Sequence, residues 1–500
     1  MSFTYNDFRR ETVQTNERGF VRDFFFDAAA PAIQSYASGT AIAYDYDENG
    51  NPITATVVPA SGAGQSNRIT STQYDELDRP VRIVGPQYTD AVYGTVCPVT
   101  LDSYDTLGRL VQVSAGRSPA PCTGSDVVQP QLTRVYDDFD RLTSETDALG
   151  HVRSLHYDTH DNPDTATDAR NQTTQYTWAY GHQLMSRIEQ SGRTTTWTRN
   201  ALGQVTKVVH PNVTTSTEYD AAHRVVEIID SRGSQSLEYD WSPGGLLNSL
   251  TDSANRITGY LYDPVGRLAA ITAPNGDSIN FSFDPAGRLI QKRLANGTSS
   301  HYQYNPDGSL AQLVNSANGS LISQHDYSYD GTGNRITQSE KINGTTINYA
   351  YSYDELGRLT QVANGTAANQ ENYSYDPLNN RTAKSVGQSS PAITAYVYDA
   401  ANQLTQIHSG SATGPLLKTL AYDNNGNLQS DGTRTYTWDA LNQLSQVSTS
   451  SITTRYAYDD TGRRIAKTSA GSTTQWLYDG QDIYVSVPTL YRWVPASAHA

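Results

Sequence analysis

Tyr351-Ser352-Tyr353-Asp354-Glu355-Leu356-Gly357-Arg358-Leu359-Thr360-Gln361-Val362 contains two extended segments and the turn between them. Tyr351 and Tyr353 are two residues apart, so in an extended chain they share one face. Asp354 opens the turn. Its carboxylate can accept a hydrogen bond from the backbone two residues on, and Gly357 supplies the positive φ with which such a turn ends. Arg358-Leu359 then restarts an extended segment that reaches Val362. Asn364-Gly365 follows, and Asn-Gly between alternating segments is a strong hairpin signal. One period therefore reads strand, turn, strand, turn.

The stretch recurs along the chain. Tyr104-Asp105-Thr106-Leu107-Gly108-Arg109-Leu110 and Tyr262-Asp263-Pro264-Val265-Gly266-Arg267-Leu268 repeat it, and Phe283-Asp284-Pro285-Ala286-Gly287-Arg288-Leu289 repeats it with Phe for Tyr. Looser copies begin at Tyr46, Tyr74, Tyr136, Tyr157, Tyr219, Tyr304, Tyr329, Tyr375, Tyr398, Tyr422, Trp438, Tyr458 and Tyr478, and degenerate ones align at Tyr5, Phe26, Trp178, Arg199 and Trp241. That makes about 22 copies with a mean period of about 22.5 residues. The array spans residues 1–480, with 1–100 and 178–250 more degenerate, and 481–500 reads as a non-repeat tail. Asn-Gly recurs in the second turn at Asn275-Gly276, Asn296-Gly297, Asn318-Gly319 and Asn343-Gly344. The expected fold is all-β: about 44 short antiparallel strands in consecutive hairpins. Open twisted sheets rarely exceed about ten strands without curling or splitting, so the ribbon is expected to roll up into a spiralling, hollow wall. The rival architecture is a propeller, with two periods in each four-stranded blade.

Composition fits a thin wall better than a thick core. Apolar residues make up 37% of the 500 positions and charged residues 17%, and Thr, Ser, Asn, Gln and Gly fill the gap. The net charge of −15 disfavours nucleic acid and anionic membrane surfaces as partners. No segment approaches the roughly 20 apolar residues of a spanning helix, so membrane insertion is not expected. Six Lys stand against thirty Arg, which points to directional pairing with carboxylates by a planar fork. Tyr outnumbers Phe 34 to 9, so aromatic positions favour a ring with a polar tip.

Tyr-Asp-x-x-Gly-Arg-Leu at about 21-residue spacing resembles the RHS/YD repeat of bacterial Rhs polymorphic-toxin proteins, toxin-complex shell proteins and teneurins. The resemblance covers about residues 5–480. It implies a β-ribbon spiralling into a hollow shell that encloses or presents a secreted toxin polypeptide, or acts at the cell surface. It also implies a downstream RHS core segment and a toxin as partners. After Tyr478-Asp479-Gly480-Gln481-Asp482 no residues match that core or its self-cleavage site, so the chain reads as a shell fragment. The N-terminus shows no signal peptide, and secretion or surface exposure is expected of the intact protein only through the resemblance.

No catalytic constellation emerges, so no enzyme activity, cofactor or metal is expected. His151, His156 and His160 form the one histidine cluster, but they lie across a strand and a turn and lack the glutamate of a zinc-protease helix. The repeat carboxylates and guanidiniums (Asp105 and Arg109, Asp263 and Arg267, Asp284 and Arg288, Asp354 and Arg358) are expected to close their turns and stack against neighbouring copies. A ligand-lining role is the competing reading. The tyrosine columns are expected to form ladders along the sheet, with glycan stacking on a Tyr/Asn-rich outer face as the alternative function. Cys97 and Cys122 flank one Tyr-Asp segment in Pro-containing stretches, and two readings stay open: a disulfide, suited to an extracytoplasmic protein, or two free loop thiols.

Overall fold

Each period folds as the turn chemistry requires. Gly108 N–H donates to the Asp105 carbonyl and Asp105 N–H to that of Arg109, both at 3.0 Å. This is a type I turn followed by a left-handed residue, here Gly108 at φ 88°. The ladder slips by one residue at the motif aromatic: Ser103 pairs with Gln112, whereas Tyr104 pairs with Leu110. The same slip occurs at Tyr262, Tyr304 and Tyr353. The extra residue increases local twist.

The computed structural model describes residues 41–59, 67–232 and 235–487, and also the strands Ser2–Tyr5, Glu11–Thr15, Val21–Asp27 and Ala30–Tyr36. Side chains before residue 41 and after residue 484, and the end of the tail, are outside the description, but the strands carrying Tyr5 and Phe26 pair with the same one-residue slip at those positions. The described residues hold 46 strands and one three-residue 3-10 turn, Ala367–Asn369. The fold is all-β, with antiparallel pairing between successive strands. The ladder continues past residue 480, where Asp482–Val487 pairs with Ser472–Asp479.

The chain divides into two compact units. The first comprises Met1–Arg134, Asp147–Leu149 and Ser282–Leu417, and the second Val135–Thr146, Gly150–Phe281 and Lys418–Ala500. In the second unit an unbroken antiparallel ladder runs from Val152–Tyr157 to Leu268–Thr272. In the first, one runs from Leu289–Leu294 to Leu404–Ser409. Neither breaks after four strands, which sets the propeller aside.

The Asn-Gly turns divide into kinds that their sequence does not distinguish. Asn318-Gly319 and Asn343-Gly344 have positive φ at both residues (49° and 81°, 50° and 79°) and are two-residue hairpins between Ala317 and Ser320 and between Ile342 and Thr345. At Asn275-Gly276 only the glycine is left-handed, and the loop from Ala273 to Asp277 has the hydrogen bonds of the Tyr-Asp turn. Asn364-Gly365 leads into the 3-10 turn.

Apolar burial is local. Leu237 and Leu250, both fully buried, pack with Leu477 and Tyr484 in the second unit. Val84, Cys97 and Val99 form a small cluster in the first, with Leu101, Cys122 and Val128 against it.

Candidate functional site

One carboxylate closes each Tyr-Asp turn. Asp354 Oδ1 accepts from the N–H groups of Leu356 (3.0 Å) and Arg358 (2.8 Å), and Oδ2 accepts from Arg358 Nε at 2.7 Å. Asp105 does the same with Leu107 and Arg109, and Asp263 with Val265 and Arg267. In the Phe283 copy, Asp284 accepts from the N–H and Nε of Arg288. Gly266, Gly287 and Gly357 sit at φ 85°, 82° and 76°. Against the opposing effect of burial, hydrogen bonds to the charged form hold the carboxyls of Asp105, Asp263 and Asp284 below their usual range. At Asp105 the Arg109 amide contributes most, and at Asp75 the Arg79 side chain.

The motif also joins each copy to the next. Tyr375 Oη donates to the Leu359 carbonyl at 2.8 Å, while the Arg358 guanidinium lies 4.9 Å from the Tyr375 ring centre and Nη1 donates to the Asp376 carbonyl at 2.9 Å. Tyr304 reaches the Leu289 carbonyl at 2.8 Å under Arg288, and Tyr104 reaches the Pro80 carbonyl at 3.1 Å under Arg79. Trp178 and Trp241 put an indole N–H in the same place, on the carbonyls of Pro163 (2.8 Å) and Val225 (2.7 Å). The hydroxyl thus gives the excess of Tyr over Phe a structural use, and Trp is a chemical substitute because it also carries a donor. The accepting carbonyl always follows the last turn residue of the preceding copy.

A second set of contacts lies at the opposite ends of the hairpins. In the second unit, turns from the 150–281 stretch meet Tyr-Asp turns from the stretch after residue 418. Arg170 Nη2 donates to the Asp439 carbonyl (2.8 Å) and to Asn442 Oδ1 (3.2 Å), and Ala169 N–H to Asn425 Oδ1 (2.8 Å). Asn212 Nδ2 donates to the Tyr458 carbonyl at 2.7 Å. Arg232 Nη1 donates to the Ile465 carbonyl (2.8 Å), and its Nη2 to that of Trp476 (3.0 Å). Arg170 and Arg232 are each gripped by the aspartate two residues earlier, Asp168 and Asp230, so their remaining N–H groups project across the seam. Leu441 enters a cavity of about 370 Å³ beside Leu142, Leu155 and Tyr176.

The seam buries ionisable groups. His210 is 5% exposed, and burial, with Arg193 and Arg187 adding to it, lowers its pKa to about 4. Burial raises the pKa of Asp479, which accepts from Tyr239 Oη at 2.9 Å. In the first unit the guanidinium of Arg358 also lies 4.6 Å from the ring centre of Tyr88, whose pKa burial pushes up to about 12. There Asn402 Nδ2 donates to Gln131 Oε1 at 3.1 Å. Sequence reasoning did not find these partners. The available signal was Asp-x-Arg in a turn without Tyr, at Asp168-Ala169-Arg170 and Asp230-Ser231-Arg232.

Cys97 and Cys122 form a disulfide with Cα atoms 6.0 Å apart. It ties the strand Gly94–Tyr104 to the loop after Leu110–Pro119, where Arg82 pairs with Asp126 at 2.8 Å. His156 Nδ1 pairs with Asp164 at 2.6 Å, and His160 lies within 3.3 Å of Thr159 Oγ1. Among the described residues no three His, Cys, Asp or Glu are grouped to hold a metal, and no helix is long and apolar enough to cross a membrane.

The teneurin YD-shell model matches residues 182–338 and 322–492, and the RHS repeat model matches 136–174. The chain belongs to the teneurin YD-shell family. The crystal structure of TcdB2-TccC3-Cdc42 is similar with a TM-score of 0.62 at 15% identity, over 95% of this chain and 28% of that one. The Photorhabdus luminescens Tc holotoxin pore gives 0.62 at 16% identity, over 97% and 27%. This YD-shell chain therefore spans little more than a quarter of the length of those chains, and at these identities the likeness concerns the fold. No curated protein matches it. The family is a structural shell, and the Tyr-Asp motif of its name is the turn and inter-copy clasp described above.

Proposed function

We propose that the chain is a non-enzymatic wall segment of a secreted or surface-exposed bacterial protein, and that the wall encloses a toxin or effector polypeptide. One observation carries the reading. In the second unit, hairpin ends some 240–270 residues apart in sequence are joined edge to edge, as Arg170 is to Asp439 and Arg232 to Trp476. A ribbon that seals its own edges excludes large molecules without a thick core. The clasps and seam bonds are made mainly by side chains whose functional groups are already occupied, which suits a barrier rather than a catalyst.

The test uses the full chain carrying an unstructured C-terminal polypeptide that contains protease sites. Digestion of that polypeptide should be slower than when it is free in solution, and the protection should be lost after Arg170→Ala and Arg232→Ala open the seam. Equal digestion rates attached and free would sink the encapsulation reading.

A further inference from the structure

At one place in the second unit the clasp lacks both of its charged side chains. The copy at Tyr157 has Asn162 where Arg141 stands one copy earlier, and the following copy has Ala179 where Asp158 stands. The backbone register is kept, with Trp178 paired to Leu184 and Ala179 to Gln183. What changes is the cover of the ring. Arg141 lies 4.7 Å from the Tyr157 ring centre, and Arg224 lies 5.6 Å from that of Trp241. Asn162 is too short to place a guanidinium's counterpart over Trp178.

Asparagine alone does not set this copy apart. Asn51, Asn380 and Asn427 each donate to a side chain of the following turn, Asp78 (2.6 Å), Asn402 (2.8 Å) and Asn442 (2.9 Å), and those turns keep Asp75, Asp399 and Asp439. Asn162 makes the equivalent contact. Its Nδ2 donates to Asp158 Oδ2 at 2.9 Å, so its Oδ1 accepts from His182 Nδ1 at 2.5 Å, which leaves His182 Nε2 with a lone pair. The following turn has no aspartate, and a cavity of about 450 Å³ opens there, bordered by Asp158, His160, Trp178, Ala179 and His182. Among the described residues that line it there is no lysine or arginine. Hydrogen bonds, that from the Asn162 side chain foremost, hold the Asp158 carboxyl below its ordinary range, so it is charged at neutral pH.

We propose that this cavity takes a guanidinium group carried by another molecule, either an arginine side chain of a bound polypeptide or a small guanidinium compound. Other copies show what such surroundings hold. Arg358 bonds Asp354, lies over Tyr375 and donates to the Asp376 carbonyl. Asp158, Trp178 and the Ala179 carbonyl occupy the same three places here. Asp137 Oδ2 contacts both Nε and Nη2 of Arg141 at 2.8 Å, whereas Asp158 Oδ2 accepts the single amide N–H of Asn162 and has capacity for a second donor. A planar fork matches a carboxylate, a ring face and a carbonyl better than the point charge of an ammonium does. The net charge of −15 favours a cationic ligand. This inference does not depend on what the wall encloses.

The test is an NMR titration of the full chain labelled with ¹⁵N in its six tryptophans, with the Trp178 indole signal assigned from a Trp178→Tyr variant. The probes are Gly-Arg-Gly amide, methylguanidinium and Gly-Lys-Gly amide. The Trp178 signal should move with the arginine peptide at a Kd of about 1–10 mM, and respond at least about fivefold more weakly to the lysine peptide. Asn162→Arg supplies the missing group from within the chain and should abolish the response. Asp158→Asn should weaken it about tenfold, in a turn that still closes, because Asn200 closes the same turn two copies later. Peptide binding at least as tight as that of methylguanidinium would support a polypeptide as the source, and methylguanidinium binding with the peptide excluded would support a small compound. A Trp178 signal unmoved by either guanidinium probe up to about 50 mM would overturn the proposal. So would an equal response to the lysine peptide, or an Asn162→Arg chain that titrates like the parent.

Discussion

The motif turns of two consecutive copies, Asn200–Gln204 and Asp220–Arg224, make the same backbone hydrogen bonds with different side chains. Asp220 Oδ1 accepts from the N–H groups of Ala222 and Arg224 (both 2.9 Å), and Oδ2 accepts from Arg224 Nε at 2.8 Å. Asn200 Oδ1 accepts from Leu202 and Gln204 N–H (both 3.0 Å), and its amide group donates to Gln204 Oε1 at 2.9 Å. Arg224 extends to the next copy at the Ser242 carbonyl (3.0 Å), and Gln204 extends to the His223 carbonyl (3.3 Å). The turn therefore needs a side-chain oxygen at its first position to accept the backbone N–H of the fifth, while the side-chain bridge runs in either direction and charge is optional. What the arginine adds is a guanidinium 5.6 Å from the ring centre of Trp241 in the next copy.

The largest effect should come from removing the ring that Arg224 uses. Trp241 donates to the Val225 carbonyl and stacks on Tyr239 at 6.3 Å. Trp241→Ala should cost about 3–4 kcal/mol in chemical denaturation, and Trp241→Tyr, which keeps a donor, about 1 kcal/mol. Equal losses would mean that the inter-copy hydrogen bond contributes nothing beyond packing.

The fourth turn position separates the two turns next. Gly203 is at φ 81°, and an added Cβ would lie 2.9 Å from Gln183 Nε2, whereas His223 holds φ 66° with a side chain. Gly203→Val should destabilise by about 2 kcal/mol, and His223→Gly should stabilise by about 0.5–1 kcal/mol, both read from denaturant midpoints. Equal and small shifts at both sites would show that left-handed backbone here carries no cost.

How far the sequence reached follows from the range of each interaction. The Tyr-x-Tyr alternation and the Asp-x-x-Gly turn act within six residues, so Tyr353 to Arg358 could be assigned strand and turn from the residues alone. The carbonyl beneath each tyrosine lies 14–24 residues back, in the preceding copy, and the Tyr–Trp interchange at Trp178 and Trp241 was its trace. The seam partners of Arg170 and Arg232 lie 269 and 244 residues away. No periodicity encodes them, because they depend on how many strands pass before the edges meet. The three kinds of Asn-Gly turn were illegible for another reason: the dipeptide permits positive φ but does not require it at both residues.

Acid should separate the two turns by charge. The Arg224 backbone and side-chain bonds lower the pKa of Asp220 below its ordinary value. A carboxylate with a depressed folded pKa stabilises above its unfolded pKa, and the contribution is lost as pH falls through the folded value. Amide exchange at Ala222 and Arg224 should therefore accelerate below about pH 4, relative to the intrinsic rate, while Leu202 and Gln204 hold their protection. Parallel loss at both turns would mean that the ribbon opens globally before the carboxylate titrates.

The smallest effect is expected from turning one site into the other. The combined Asp220→Asn and Arg224→Gln variant keeps both backbone acceptor contacts and the side-chain bridge, because Asn200 and Gln204 make them already one copy earlier. It loses the guanidinium over Trp241, a partly exposed cation–π contact of about 0.5–1 kcal/mol. Exchange at Ala222 and Arg224 at neutral pH should then change by no more than about fivefold, and the acid sensitivity of that turn should disappear. Either single change alone should do more damage than the pair, since an amide facing a guanidinium, or a carboxylate facing an amide, leaves one charge without its partner. If the pair proves worse than the sum of its parts, the arginine's role lies in joining copies rather than closing its own turn, and the equivalence of the two turns holds for the backbone alone.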